Sequence, residues 1–439
     1  MSRLAYRSVA RLACFRPVVM WAAFSLAACS YGHPIVGIFP EDPQDDGLNL
    51  SLLLAGLAIA SNLGPASTGC APNGQIMIAA NNATNGRLAL FRCNRDGSGC
   101  VHIDASAAAG QGNDSGFEPN MVFDPVNNRL LVAVADGSVG PRLGLYRCNA
   151  DGTGCVFLVL SGGADSGHTP SAGVDLVNNR LAVASRDSTG GALRLGMHLC
   201  NLDGTGCAST DVSAATGQGN FTGFNPSLVV DNIDQQLYTA TFNNGASNTV
   251  GFFRCNLNAG ACTFTNASTA AGLGANTGVA PSLIHDQAGG RNLFVSRNST
   301  LGALNGIRCQ EDGSACVAVD VTAGFSAGNS RSFLGPDNRV YTSARNPDTG
   351  NRASLWRCEI DGTNCLHANL GAALADDTGH EPDVVADDSC AYVASRNDAS
   401  ASSVLYYICE RDGSACQFVD VTAATGTAFG VTDINLLLL

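Results

Sequence analysis

The chain has no lysine: all 24 basic residues among its 439 are arginine. A codon preference for GC-rich triplets accounts for that without a functional role. Charge of either sign is sparse, at 14% of residues, and aromatics supply only 6%. Setting aside the four arginines of the first 28 residues leaves 20 against 37 acids, a net charge near −17. With no basic cluster to neutralise a phosphate backbone, nucleic acid is excluded as a partner. The surplus of negative charge favours solubility instead. Amphipathic helices are lacking as well. After residue 60 no stretch carries the apolar spacing of a helix with one buried face, so the chain beyond it is expected to be all-β.

What the sequence does have is glycine (51 residues) and cysteine (18 residues), the latter in a strict rhythm. Seven times it spells Cys, six residues, Cys: Cys93–Cys100, Cys148–Cys155, Cys200–Cys207, Cys255–Cys262, Cys309–Cys316, Cys358–Cys365 and Cys409–Cys416. The filling is Asn-x-Asp-Gly-Ser/Thr-Gly in the first three copies and related in the rest. First Cys to first Cys, the steps are 55, 52, 55, 54, 49 and 51 residues. A period of this size means one supersecondary unit made seven times. Asn-x-Asp-Gly is a strong turn sequence, because Asn and Asp tolerate tight conformations and Gly accepts positive φ. Whether the loop is a two-residue turn or a type I turn with a glycine bulge, the flanking cysteines fall opposite each other across two strands. Each such bridge contributes about 2.5 kcal/mol in the loop-entropy picture. Zinc is a poor rival, since the six-residue spacing has no histidine companions. Fourteen paired cysteines also require an oxidising compartment.

Residues 224–271 show one unit in full. Pro226–Asp231 reads as a strand starting just after a proline, Leu237–Phe242 as a second, Thr249–Cys255 as a third, and Cys262–Thr265 opens a fourth. Four short antiparallel strands per unit of about 50 residues describe a propeller blade. The expected fold is an all-β, seven-bladed β-propeller of four-stranded antiparallel blades, over residues 49–439.

The N-terminus is a different text. Arg3, Arg7, Arg11 and Arg16 precede the apolar stretch Val18–Ala28, which is too short to span a bilayer, and Leu26-Ala27-Ala28-Cys29 follows. Residues 1–28 read as an export signal. The ending resembles the bacterial lipobox, which implies cleavage before Cys29 and lipid on its thiol, with residues 29–48 as a tether. The membrane is then met through the lipid anchor alone. An ordinary signal peptide with an incidental Cys29 is the alternative. Cys14 lies in the signal, so Cys70 and Cys390 remain. They sit near equivalent turns of the first and seventh units, which are neighbours in a closed ring, and are expected to bridge Cys70–Cys390. The apolar 434–439 segment is expected to pair near that seam.

The segment [Leu/Phe]-[Tyr/Phe]-Arg-Cys-Asn-x-Asp-Gly-Thr-Gly-Cys resembles the Asp-box hairpin of sialidase-type propellers across all seven units. The Asp lies one place later, and Cys stands for both the Ser and the Trp of the box. That resemblance implies architecture rather than reaction. It directs attention to an arginine set for a carboxylate, and Arg186, Arg297, Arg345 and Arg396 recur at the end of the second strand in four units. Bidentate capture of carboxylate or sulfate suits them. Pairing with loop aspartates for packing is the competing account. The family's Phe/Tyr-Arg-Ile-Pro segment and Tyr–Glu pair are missing. Asp165-Ser-Gly-His168-Thr-Pro and Asp377-Thr-Gly-His380-Glu-Pro share a pattern bordering the expected channel mouth, where His with a carboxylate serves as acid/base or ligand contact. Phe and Val in the same slot elsewhere suggest packing. The Asn-x-Asp-Gly-Thr-Gly loops also make calcium a candidate, although they lack the bidentate Glu and a third acid.

The resulting expectation is an exported monomer at the outer membrane or cell surface, with a periplasm-facing position as the alternative, possessing no cofactor or resident metal. Its role is non-catalytic recognition of a glycan, peptide or protein ligand. A diverged glycan-acting hydrolase or lyase is the alternative, and a structural envelope component the third reading.

Overall fold

The second strand of each unit is almost wholly buried: Arg129–Asp136, for example, has every residue after Arg129 inside. Such strands need cover on both faces, and neighbouring sheets supply it. In the computed structural model, which describes Cys70 and residues 74–439 apart from 139, 162, 164–165, 323–324 and 373, these strands form seven four-stranded antiparallel sheets. The fold is a seven-bladed β-propeller. Blades two to seven run from Phe117 to Val159, His168 to Asp211, Phe224 to Asn266, Val279 to Asp320, Ser330 to Asn369 and His380 to Asp420.

Blade one is composite. Its inner strand is the C-terminal segment Val431–Leu438, paired antiparallel to Gln75–Asn82, with Arg87–Asn94 and Val101–Asp104 outside it. The first and last of the described strands therefore close the ring in one sheet, where the apolar C-terminal segment was expected to lie. The Cys70–Cys390 disulfide joins the start of blade one to blade seven, and all seven Cys-x₆-Cys hairpins are bridged. Disulfides in this number place the chain outside the cytoplasm. No helix among the described residues is long and apolar enough to cross a membrane.

The hairpin is a type I turn with a glycine bulge. Asn94 O accepts from Gly97 N at 2.9 Å and Asn94 N donates to Ser98 O at 2.9 Å, with Gly97 at φ +79°. Asp96 Oδ1 accepts from both the N–H (2.9 Å) and the hydroxyl (2.7 Å) of Ser98. In the next copy, Thr153 does the same to Asp151, and those bonds hold the Asp151 carboxyl below the usual range. The box aspartate thus has a complete role as the turn's internal acceptor. The arginine before the first Cys reaches forward to the next blade. Arg92 donates to Asp151 O at 3.2 Å and Arg147 to Asp203 O at 2.8 Å.

Short connections finish each joint. Single-turn helices such as Ala105–Ala108 and Val212–Ala215 are capped by Asp104 and Asp211, whose carboxylates accept from N3. They deliver buried Ser106 and Ser213 to accept from Leu88 N and Leu195 N. In the loops entering blades two, three, four, five and seven the glycine that follows lies against backbone: a Cβ on Gly116 would sit 2.1 Å from Leu88 N.

Candidate functional site

The inner strands begin two residues before the proline rather than after it, and the residue between is folded the wrong way round. Glu118, Thr169, Asn225, Ala280 and Glu381 each precede a proline with φ between +44° and +51°, and Asp433 occupies the same place at +54°. Non-glycine residues seldom adopt this left-handed region, and strain of this kind gathers at functional sites. The pairing register slips at these points, between Phe117 and Asn120, for instance, and between His380 and Asp383. The bulge turns one side chain toward the axis in each blade except the sixth, whose register runs without a slip.

Those residues line a funnel drawn from all seven blades. The chemistry around it is uneven. Blades seven, one and two contribute Glu381, Asp433 and Glu118, whereas blades three, four and five contribute Thr169, Asn225 and Ala280. Blade six lacks the proline, and Arg331 stands in its slot with an exposed side chain. Each of the three acids also braces the backbone of the next blade, Asp433 by accepting from the Glu118 backbone. Glu381 Oε2 accepts from Asp433 N at 2.8 Å, and Glu118 Oε2 from Thr169 N at 2.6 Å. Burial, then the Asp433 charge, pushes the Glu381 carboxyl above its usual range. Burial, then Glu118, does the same to Asp433.

Beneath this layer the blades are tied by side chains accepting backbone N–H groups of the next inner strand. Asn435 Oδ1 takes Met121 N (2.7 Å), Asn120 Oδ1 takes Ala172 N (2.7 Å), and Ser171 takes Leu228 N (3.0 Å). Ser227 takes Leu283 N (3.0 Å), Ser282 takes Ser332 N (2.9 Å), and Asp383 takes Leu436 N (2.8 Å). Burial raises the Asp383 carboxyl, opposed by the Arg331 charge.

The four arginines divide. Arg297 and Arg345 line a crevice at blades five to seven together with His380, and this crevice shares Asn329 and Glu381 with the funnel. Arg396 is clamped by Asp398 (Nε–Oδ1 2.7 Å) and Glu381 (2.9 Å), and its Nη2 lies 3.4 Å from His380 Nδ1. Arg345 faces Asp377 at 3.8 Å, and Asp377 also accepts from Asn351 at 2.7 Å. For Arg345 and Arg396 the pairing with loop acids is thus realised. Arg186 lies apart on blade three, where it pairs with His168 in the ladder and covers the Phe224 ring at 5.1 Å. Burial, then the Arg345 charge, pushes the His380 imidazole down, so it is neutral near pH 7. Asp165 and Cys29 lie outside the described residues.

Sequence reasoning picked the histidine of Gly-His-x-Pro and passed over x, the position that faces the funnel. It also missed Arg331. The available signal for Arg331 was its departure from the repeat, an arginine where five units have proline.

No protein-family model matches the chain, and no curated protein matches it. Solved structures do. It is similar to a "putative 6-phosphogluconolactonase" from Bacteroides fragilis, with TM-score 0.50 and 12% identity over 84% of this chain and 99% of that one. A second protein so described, from Bacteroides uniformis, gives 0.53 and 13% over 83% and 100%. A protein from Lactobacillus plantarum gives 0.55 and 14% over 83% and 99%. At such identities the likeness is one of fold: these are propellers of comparable span.

Proposed function

We propose that this protein is an exported, lipid-anchored recognition module of the bacterial envelope that binds a polar ligand at the axial funnel without turning it over. The observation that supports it is the ring of left-handed residues, which presents Glu118, Glu381 and Asp433 along one arc with the exposed Arg331 beside them. A small set of fixed polar groups around a concavity is what ligand orientation requires. In titrations of oligosaccharides and peptides against the exported chain, Arg331→Ala and Glu381→Gln each weaken binding at least about tenfold, or roughly 1.4 kcal/mol. Wild-type affinity in both variants would remove the funnel from the reading.

A diverged glycan-acting hydrolase or lyase of sialidase-like architecture is the second reading, favoured by the two neighbouring carboxyls that burial raises, Glu381 and Asp433. Paired carboxyls in such surroundings suit acid–base chemistry. Turnover of any of the same oligosaccharides, lost in Glu381→Gln, would establish it. The anchor is checked separately: Cys29→Ser moves the protein from the membrane fraction to the soluble fraction and removes the lipid mass from its N-terminal peptide. Retention in the membrane would show that some other segment attaches it.

A further inference from the structure

Four of the described blade-entry loops share one set of backbone bonds beside the funnel, and one of the four makes them with a different kind of residue. In the loops entering blades two, five and seven, the residue two places before the packed glycine is Asp114, Asn276 or Asp377. All three are left-handed, at φ +60°, +64° and +62°. In each, the backbone N–H donates to the preceding blade (Asn85 O, Ser247 O, Gly350 O), and the carbonyl accepts from the blade being entered (Gly137 N, Ser299 N, Asp398 N). Asn and Asp are the residues that tolerate this conformation. Two of them also bond an asparagine that is itself left-handed: Asn248 Nδ2 to Asn276 and Asn351 Nδ2 to Asp377, both at 2.7 Å.

In the loop entering blade four, the same backbone bonds are made by Phe221, at φ +68°. Its N–H donates to Ala192 O at 3.0 Å and its carbonyl accepts from Asn244 N at 2.9 Å. The partner asparagine is replaced too, by Leu193 at φ +50°. A bulky aromatic in this region is strained, and here it gains little cover in return, since Phe221 is 42% exposed. Strain kept without burial is unexplained by packing.

The location supplies an explanation. Asn225 of the funnel wall is four residues further on, within about 14 Å of chain reach, and between them lies Phe224 under the Arg186 guanidinium. The acidic arc and Arg331 stand on the other blades of the same mouth. We propose, building on the funnel reading above, that Phe221 is a stacking platform for a pyranose ring, so that the ligand class is a pyranoside glycan. The apolar C–H face of one sugar lies on the aromatic face, and further residues of the glycan extend from it toward the funnel's carboxylates and arginine.

The test uses the exported chain on immobilised oligosaccharides with neutral, N-acetylated and uronic pyranose ends, beside thermal unfolding. Phe221→Asn restores the residue type of the sibling loops. It is expected to melt at the wild-type temperature or up to about 3 °C above it, and to bind at least tenfold more weakly. Phe221→Trp retains binding within about threefold. A Phe221→Asn protein with wild-type affinity, or one melting several degrees lower, overturns the platform while a funnel still sensitive to Glu381→Gln stands. Binding of peptides but no pyranoside overturns the ligand class alone. No binding by the wild-type chain to either overturns the funnel reading and this inference with it.

Discussion

A chain ending at Gly430 shows no cooperative unfolding transition under conditions where the full chain unfolds in one. The missing strand, Val431–Leu438, is the inner strand of blade one, with Val431, Ile434 and Leu436 buried between blades. Without it the sheet that joins the first and last described strands loses its axial member, and Met121 N loses its acceptor. Asp383 loses both the Leu436 N–H and the Asn435 amide. Removing one partner of a buried polar set leaves the others desolvated and unpaired. Even Asn435→Ala alone is expected to cost about 3 kcal/mol in denaturant unfolding. A truncated chain with the full-length midpoint would show that the Cys70–Cys390 bridge closes the ring unaided.

Gly278→Ala lowers stability by more than about 4 kcal/mol, whereas Gly274→Ala in the same loop changes it by less than about 0.5 kcal/mol. A Cβ on Gly278 would lie 2.1 Å from the Thr249 carbonyl carbon and 2.3 Å from Val250 N, and backbone cannot yield as a side chain does. At Gly274 nothing lies within 4 Å, and its φ is ordinary. Gly116, Gly167, Gly223 and Gly379 repeat the close approach at 2.1–2.2 Å. The glycine is therefore where one blade seats directly on the third strand of the blade before it. Equal losses at Gly278 and Gly274 in chemical denaturation would mean that loop entropy, not this contact, governs both.

The features readable in the sequence were those set by local chemistry repeated along the chain. Asn-x-Asp-Gly fixes its turn within a few residues, so the hairpins, their disulfides and the count of blades follow from text alone. Cys70–Cys390 followed because only a ring makes the first and seventh units neighbours. The funnel was not readable in the same way. Its side chains are aimed by a bulge at the residue before proline, where a plain strand reading places an ordinary extended residue. Glu381 therefore looked like a spacer between an interesting histidine and a proline, and Glu118 like one between a packing phenylalanine and a proline. The arginines were located correctly at strand ends, yet whether each is free depends on partners brought in by other strands. Asp398 was visible two residues after Arg396, but the Glu381 contact arises only across the slipped register.

The covalent link between Cys70 and Cys390 has a mechanical consequence. Cys70 stands just ahead of Gln75–Asn82, the strand that meets the C-terminal segment. A tug on the polypeptide upstream of Cys70 is borne by the sulfur bridge and passed into blade seven. It does not peel the hydrogen bonds of blade one one at a time. The joint between the first and last described strands, where a ring built by strand pairing would tear first, is thus shielded from force arriving along the preceding chain.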